Sequence, residues 1–118
     1  MRVAEPLVQT GLLGEAIDRA PAAVFVADEH GQYVAVNRFA CEMLGYTRAE
    51  LLGLRVQDVG AEPEVEAHFK AFVRAREEKG TTTLRRKDES TVRFRYSAGE
   101  TIMAGLTYYV SVGFPEDD

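Results

Sequence analysis

Few side chains in this 118-residue chain are of the types that make or break bonds, and their spacing suits no common catalyst. His30 and His68 are the two imidazoles, and Cys41 is the one thiol. His30 falls in a polar segment, Asp28-Glu29-His30-Gly31-Gln32, where a solvated histidine is expected. Cys41 sits in a short amphipathic run, where a small packed side chain is expected rather than a nucleophile. No Gly-x-Ser-x-Gly, His-Glu-x-x-His, phosphate-binding Gly-rich loop or Cys-x-x-Cys occurs. The carboxylates gather at helix starts and in the tail Pro115-Glu116-Asp117-Asp118, where solvation accounts for them. The expectation is therefore a chain that is not an enzyme.

Composition narrows the alternatives. A length of 118 residues suits one domain with a real apolar core, needing neither disulfides nor structural metals. Hydrophobic residues make up 46% and charged residues 28%, ordinary values for a soluble globular chain. Fourteen basic against nineteen acidic side chains leave a net charge of −5, which argues against nucleic acid or an anionic membrane as the main partner. One cysteine makes no internal disulfide, and no apolar run approaches the roughly 20 residues of a membrane helix. A cytoplasmic location is expected. No kinase, cyclase or DNA-binding segment is evident, so the chain is expected to be part of a longer regulator or to act on a separate partner.

The elements that would position side chains follow from periodicity. Leu7, Val8, Leu12, Leu13 and Ile17 lie near helical spacing between Val3 and Ala20, and Pro21 stops that helix. Ala22–Ala27 and Tyr33–Val36 read as strands joined into a hairpin through Gly31. Asn37 caps a helix over Arg38–Leu44 that Gly45 ends, and Thr47-Arg48-Ala49-Glu50 is a capping box for a short helix closed at Gly53. The spacing predicts a long helix from Pro63 to Lys79, with Val65, Phe69, Phe72 and Val73 on one face. Strands are expected at Thr81–Arg86, Thr91–Ser97 and Gly105–Phe114. This is an α+β order, with an antiparallel sheet and its helices on one side. Residues 1–20 would form an N-terminal cap helix, 21–114 the core and 115–118 an acidic tail.

These residues resemble a known family. Asp28-x-x-Gly31, Val36-Asn37-x-x-Ala40, Met43-Leu44-Gly45-Tyr46-Thr47-x-x-Glu50-Leu51-Leu52-Gly53 and the turn Arg86-Lys87-Asp88 follow the order and spacing of PAS sensory domains. The resemblance covers roughly residues 15 to 114. It implies a five-stranded antiparallel sheet with helices over its concave face and an N-terminal cap helix. One departure concerns the hairpin at Asp88-Glu89, where the family commonly has Asp-Gly. A non-glycine there predicts a longer or different turn.

The resemblance also implies a function: a sensory module that binds a small molecule or partner and relays a conformational change to an effector, as a dimer. By similarity to ligand-binding members, Phe25, Ala27, Thr82, Leu84, Phe94, Tyr96, Tyr109 and Ser111 would face inward as a pocket. The same residues could equally fill the core with no ligand. A second expectation is a ligand-free interaction platform. There Tyr108, Val110, Val112 and Phe114 would form an apolar outer stripe, covered by Leu7, Leu12, Leu13 and Ile17 of the same chain or of a second copy. Cofactor identity stays open. Flavin-binding members carry Asn-Cys-Arg-Phe-Leu-Gln where this chain has Leu54-Arg55-Val56-Gln57-Asp58-Val59, which leaves no thiol for a photoadduct. Glu62-Pro63-Glu64-Val65-Glu66-Ala67-His68 has the spacing of rhizobial haem sensors, and makes His68 the candidate axial ligand of haem iron.

Overall fold

Burial alternates along Ala23–Asp28, with Ala23, Phe25 and Ala27 buried and the residues between them half-buried, and this segment is the first strand, β1. The computed structural model describes residues 5–116, with side chains from residue 7 onward. Val3 of the expected N-terminal helix and Asp117-Asp118 of the tail lie outside the described residues. The helix α1 (Glu5–Asp18) precedes β1, which pairs antiparallel with β2 (Tyr33–Val36). Four helices follow: α2 (Arg38–Leu44), α3 (Arg48–Leu51), α4 (Val56–Val59) and α5 (Val65–Ala75). The chain closes with β3 (Glu77–Arg85), β4 (Thr91–Met103) and β5 (Leu106–Pro115). The sheet order is β2-β1-β5-β4-β3, every pairing antiparallel. This is the α+β, five-stranded architecture expected from the sequence.

Local chemistry explains the turns between elements. Asp28 Oδ1 accepts from the backbone N–H of His30 and Gln32 at 2.9 and 3.0 Å, and Gly31 takes φ 81, so the β1–β2 connection closes tightly. Asn37 caps α2 by accepting from Ala40 N–H at 3.1 Å, and Gly45 ends it in the left-handed region at φ 79. The Thr47–Glu50 capping box forms reciprocally, at 3.1 and 2.9 Å. At the β3–β4 turn Glu89 N–H donates to Arg86 C=O at 2.9 Å and Glu89 itself takes φ 73. That is the longer turn expected where Asp-Gly is missing.

The principal difference from the sequence reading lies at the long helix. Its first helical residue is Val65, and Arg76 ends it at φ 71, so residues 77–79 belong to β3. Glu77, Glu78 and Lys79 pair with Gly99, Ala98 and Ser97 of β4, and a nine-residue ladder outweighs their helix preference. β4 correspondingly runs past Ser97 to Met103, and Ala104 and Gly105, both at positive φ, form the two-residue turn into β5. The core lies between the sheet and the helices. Leu44, Leu51 and Val59 are fully buried there, each worth roughly 1.5–3 kcal/mol of apolar burial.

Candidate functional site

The inward residues of the five strands and the apolar face of α5 do not meet completely. They leave a cavity of about 150 Å³. All eight side chains expected to face inward border it: Phe25, Ala27, Thr82, Leu84, Phe94, Tyr96, Tyr109 and Ser111. Strand pairing explains why. Phe25 stands opposite Ser111 and Ala27 opposite Tyr109 across β1–β5, while Thr82 faces Phe94 across β3–β4. Period two then carries one parity of each strand to the same face. The helix-side wall of Val65, Phe69 and Phe72 was not expected as part of the site, although their shared stripe was visible in the sequence. Tyr33 and Val56 complete it, and Val56 belongs to α4, a one-turn helix too short to show a periodic signal.

Ring geometry dominates the interior. Tyr109 is T-shaped to Phe69 at 5.9 Å and to Phe72 at 5.3 Å, and Phe94 is T-shaped to Phe25 at 5.8 Å. Burial raises the phenol pKa of Tyr33 well above its usual value, and both hydroxyls at Tyr33 and Tyr109 lack a hydrogen-bond partner among the described residues. One polar cluster stands at the rim. Glu78 Oε1 lies 2.5 Å from His68 Nε2, and Glu78 Oε2 accepts from the Tyr96 hydroxyl at 2.5 Å. Burial first, and this bond second, push the Tyr96 pKa upward. Glu78 was missed from the sequence because it was placed in the long helix, ten residues from His68 with no reason to meet it.

A PAS domain family model matches residues 21–113. The chain belongs to the PAS domain family. Among curated proteins no sequence relative was found. Solved PAS structures superimpose closely at low identity. The PAS domain of an HTR-like protein from Haloarcula marismortui has TM-score 0.83 at 21% identity, covering 98% of each chain. A PAS domain from a two-component sensor histidine kinase has TM-score 0.84 at 17%, covering 94% of this chain and 99% of its own. The LOV protein of Rhodobacter sphaeroides has TM-score 0.72 at 18%, covering 92% and 68%.

Within this PAS fold the cofactor candidates can be set against the side chains present. Cys41 is half-buried on α2 and does not border the cavity, and burial raises its thiol pKa, which works against thiolate chemistry. His68 borders the cavity, but its Nε2 is committed to Glu78, its side chain is 55% exposed, and the space beside it is about 150 Å³. That arrangement does not fit haem, which needs a free imidazole nitrogen and a slot wide enough for a macrocycle.

The outer surface differs from the simplest expectation. Leu7, Leu12, Leu13 and Ile17 on α1 are all exposed and do not cover the sheet within this chain. The C-terminal end of α1 is fastened instead by Asn37 Nδ2, which donates to Ile17 C=O at 2.8 Å, and by the Asp18–Arg48 ion pair. On β5, Val112 and Phe114 are exposed, while Tyr108 and Val110 are half-buried. Val110 borders the cavity as well as belonging to the outer parity.

Proposed function

We propose that this PAS domain is a sensory module that takes up a small molecule between its sheet and α5 and passes the resulting change to an effector, without catalysing a reaction. The observation that carries this reading is the cavity itself: aromatic and aliphatic walls from all five strands and from α4 and α5, with a carboxylate at its rim. Sites for small molecules have that composition, mostly apolar with a few placed polar groups. Family membership supports the reading, and so do structural neighbours that include a PAS domain of a sensor histidine kinase. Among the described residues no helix is long and apolar enough to cross a membrane, and a cytoplasmic site of action is part of the same proposal. Native mass spectrometry of freshly purified protein tests it. A co-purifying mass that disappears in Ala98→Leu, which fills the cavity from its half-exposed edge, is the expected result. Bare protein from every expression host, together with no effect of that substitution on any added compound, would sink the sensor reading.

A second reading is favoured by α1. A helix that exposes Leu7, Val8, Leu12, Leu13 and Ile17, in a chain whose sheet also exposes Val112 and Phe114, has the character of an interaction surface. We propose that two copies of the chain bury it in a two-fold dimer. Sedimentation equilibrium should give a dimer that Leu12→Glu/Leu13→Glu converts to a folded monomer. A wild-type monomer at high micromolar concentration would exclude it.

A further inference from the structure

We infer that the cavity selects a neutral, single-ring aromatic compound carrying one hydrogen-bond donor, in the manner of a simple phenol, and rejects carboxylates and phosphates. The inference rests on the sensory reading above and adds the chemistry of the ligand.

Size sets the first bound. Pockets for drug-sized ligands occupy roughly 300–1,000 Å³, whereas this one has about 150 Å³. A dry cavity of about that volume in another protein holds one benzene. Wall geometry sets the second. Tyr109 already stands edge-on to Phe69 and Phe72, and Phe94 edge-on to Phe25, at centroid distances of 5.3–5.9 Å. A further flat ring between these groups would continue edge-to-face contacts that a branched aliphatic chain could not make.

Charge decides the rest. Among the described residues, the ionisable side chains at the cavity other than tyrosines are Glu62, His68 and Glu78, and neither lysine nor arginine lines it. Glu62 is paired with Arg93 at 3.0 Å, and the His68 Nε2 is held by Glu78. An anion entering here would lose its hydration with no free cation to replace it, and would approach the Glu78 carboxylate. A neutral donor meets the opposite situation. Each Glu78 oxygen uses one contact, to His68 or to Tyr96, and an ionised carboxylate oxygen has capacity for a second. A ligand hydroxyl would therefore find a charge-assisted acceptor at the edge of an otherwise apolar space.

The test is a chemical-shift titration of the isotopically labelled full chain with phenol, benzoate and cyclohexanol, using Glu78→Gln and Ala98→Leu alongside wild type. Thermal melts of both variants establish that they fold. Phenol should bind at least tenfold more tightly than benzoate or cyclohexanol. Glu78→Gln should narrow the phenol-to-benzoate ratio several-fold, by weakening the acceptor and removing the repulsion together. Ala98→Leu should abolish phenol shifts at cavity residues. Benzoate or cyclohexanol binding as tightly as phenol would overturn the inference, as would a selectivity unchanged by Glu78→Gln. If no aromatic probe binds while a non-aromatic co-purifying mass is lost in Ala98→Leu, the ligand class is wrong and the sensor reading stands. If neither probe nor co-purifying mass is found, both fall.

Discussion

Asn37 does more for this fold than any other polar side chain on the hairpin. It is 3% exposed, and its carbonyl oxygen accepts from Val24 N–H at 3.0 Å and Ala40 N–H at 3.1 Å. Its amide donates to the carbonyls of Ile17 and Ala22, both at 2.8 Å. One side chain thus joins α1, β1 and α2. Asn37→Ala would leave these backbone groups in a buried place without partners, and should destabilise the chain by about 3 kcal/mol. Urea denaturation measures it, and a loss below about 1 kcal/mol would mean that water replaces these bonds. The cap to Ala40 is legible in the sequence, because Asn before an amphipathic run has a local meaning. The other three bonds are not, since they depend on where the hairpin returns in space. His68 gives the converse case. Its place at the edge of the α5 stripe follows from spacing, yet its partner Glu78 is not legible there, because Glu77, Glu78 and Lys79 favour helix locally and become strand only by pairing with β4.

Arg86-Lys87-Asp88-Glu89-Ser90 shows the same mixture within one element. The need for something other than a tight primed turn follows from Glu89 standing where the family usually has glycine, and the connection is indeed longer. What the sequence did not reveal is its job. Arg86 Nε donates to Met43 C=O at 3.0 Å, Lys87 N–H donates to Leu44 C=O at 2.9 Å, and Lys87 Nζ meets Glu50 at 2.6 Å. The hairpin is thereby docked on the end of α2 and the start of α3. Glu89 remains in the left-handed region at φ 73, where a side chain with a Cβ costs about 1–2 kcal/mol. Glycine there loses part of that gain to its freer unfolded chain. Glu89→Gly should still raise stability by about 0.5–1 kcal/mol, seen as a higher denaturation midpoint at unchanged slope. A lower midpoint would show that the Glu89 side chain contributes more than its strain takes away. The strands either side were legible from alternation at Val92, Phe94 and Tyr96; the far end of β4 was not, because residues 100–103 alternate no apolar and polar types.

Across the molecule, the residues that mark the family are those that hold elements together: Gly31, Asn37, Gly45, the Thr47–Glu50 box and Arg86-Lys87. They specify a frame, and strand parity then carries Phe25, Phe94 and Tyr109 inward whatever the domain senses. This is why the inward strand residues on the sheet side of the cavity could be named from the family resemblance, while its helix side and its size could not, since those depend on how closely α5 settles on the sheet. The buried phenols give the frame a measurable alkaline limit. Burial raises the pKa of Tyr33, and burial with the Glu78 bond raises that of Tyr96, so both keep their protons in the folded state at a pH where the unfolded chain has lost them. Unfolded tyrosine titrates near ~10. Above that, the native state binds more protons than the unfolded state, and the slope of unfolding free energy against pH is negative. The stabilisation is complete below about pH 10 and declines as pH rises toward the folded-state values, by about 1.4 kcal/mol per pH unit for a fully protected phenol such as Tyr33. Tyr96 is half-buried, and solvent screening makes its share smaller. Denaturation midpoints measured from pH 8 to 11.5 should therefore hold and then fall. Tyr33→Phe removes a hydroxyl with no partner among the described residues, so it should leave the neutral plateau nearly unchanged and flatten the alkaline limb. An equally steep limb in that variant would mean that the Tyr33 phenol ionises as freely in the folded chain as in the unfolded one.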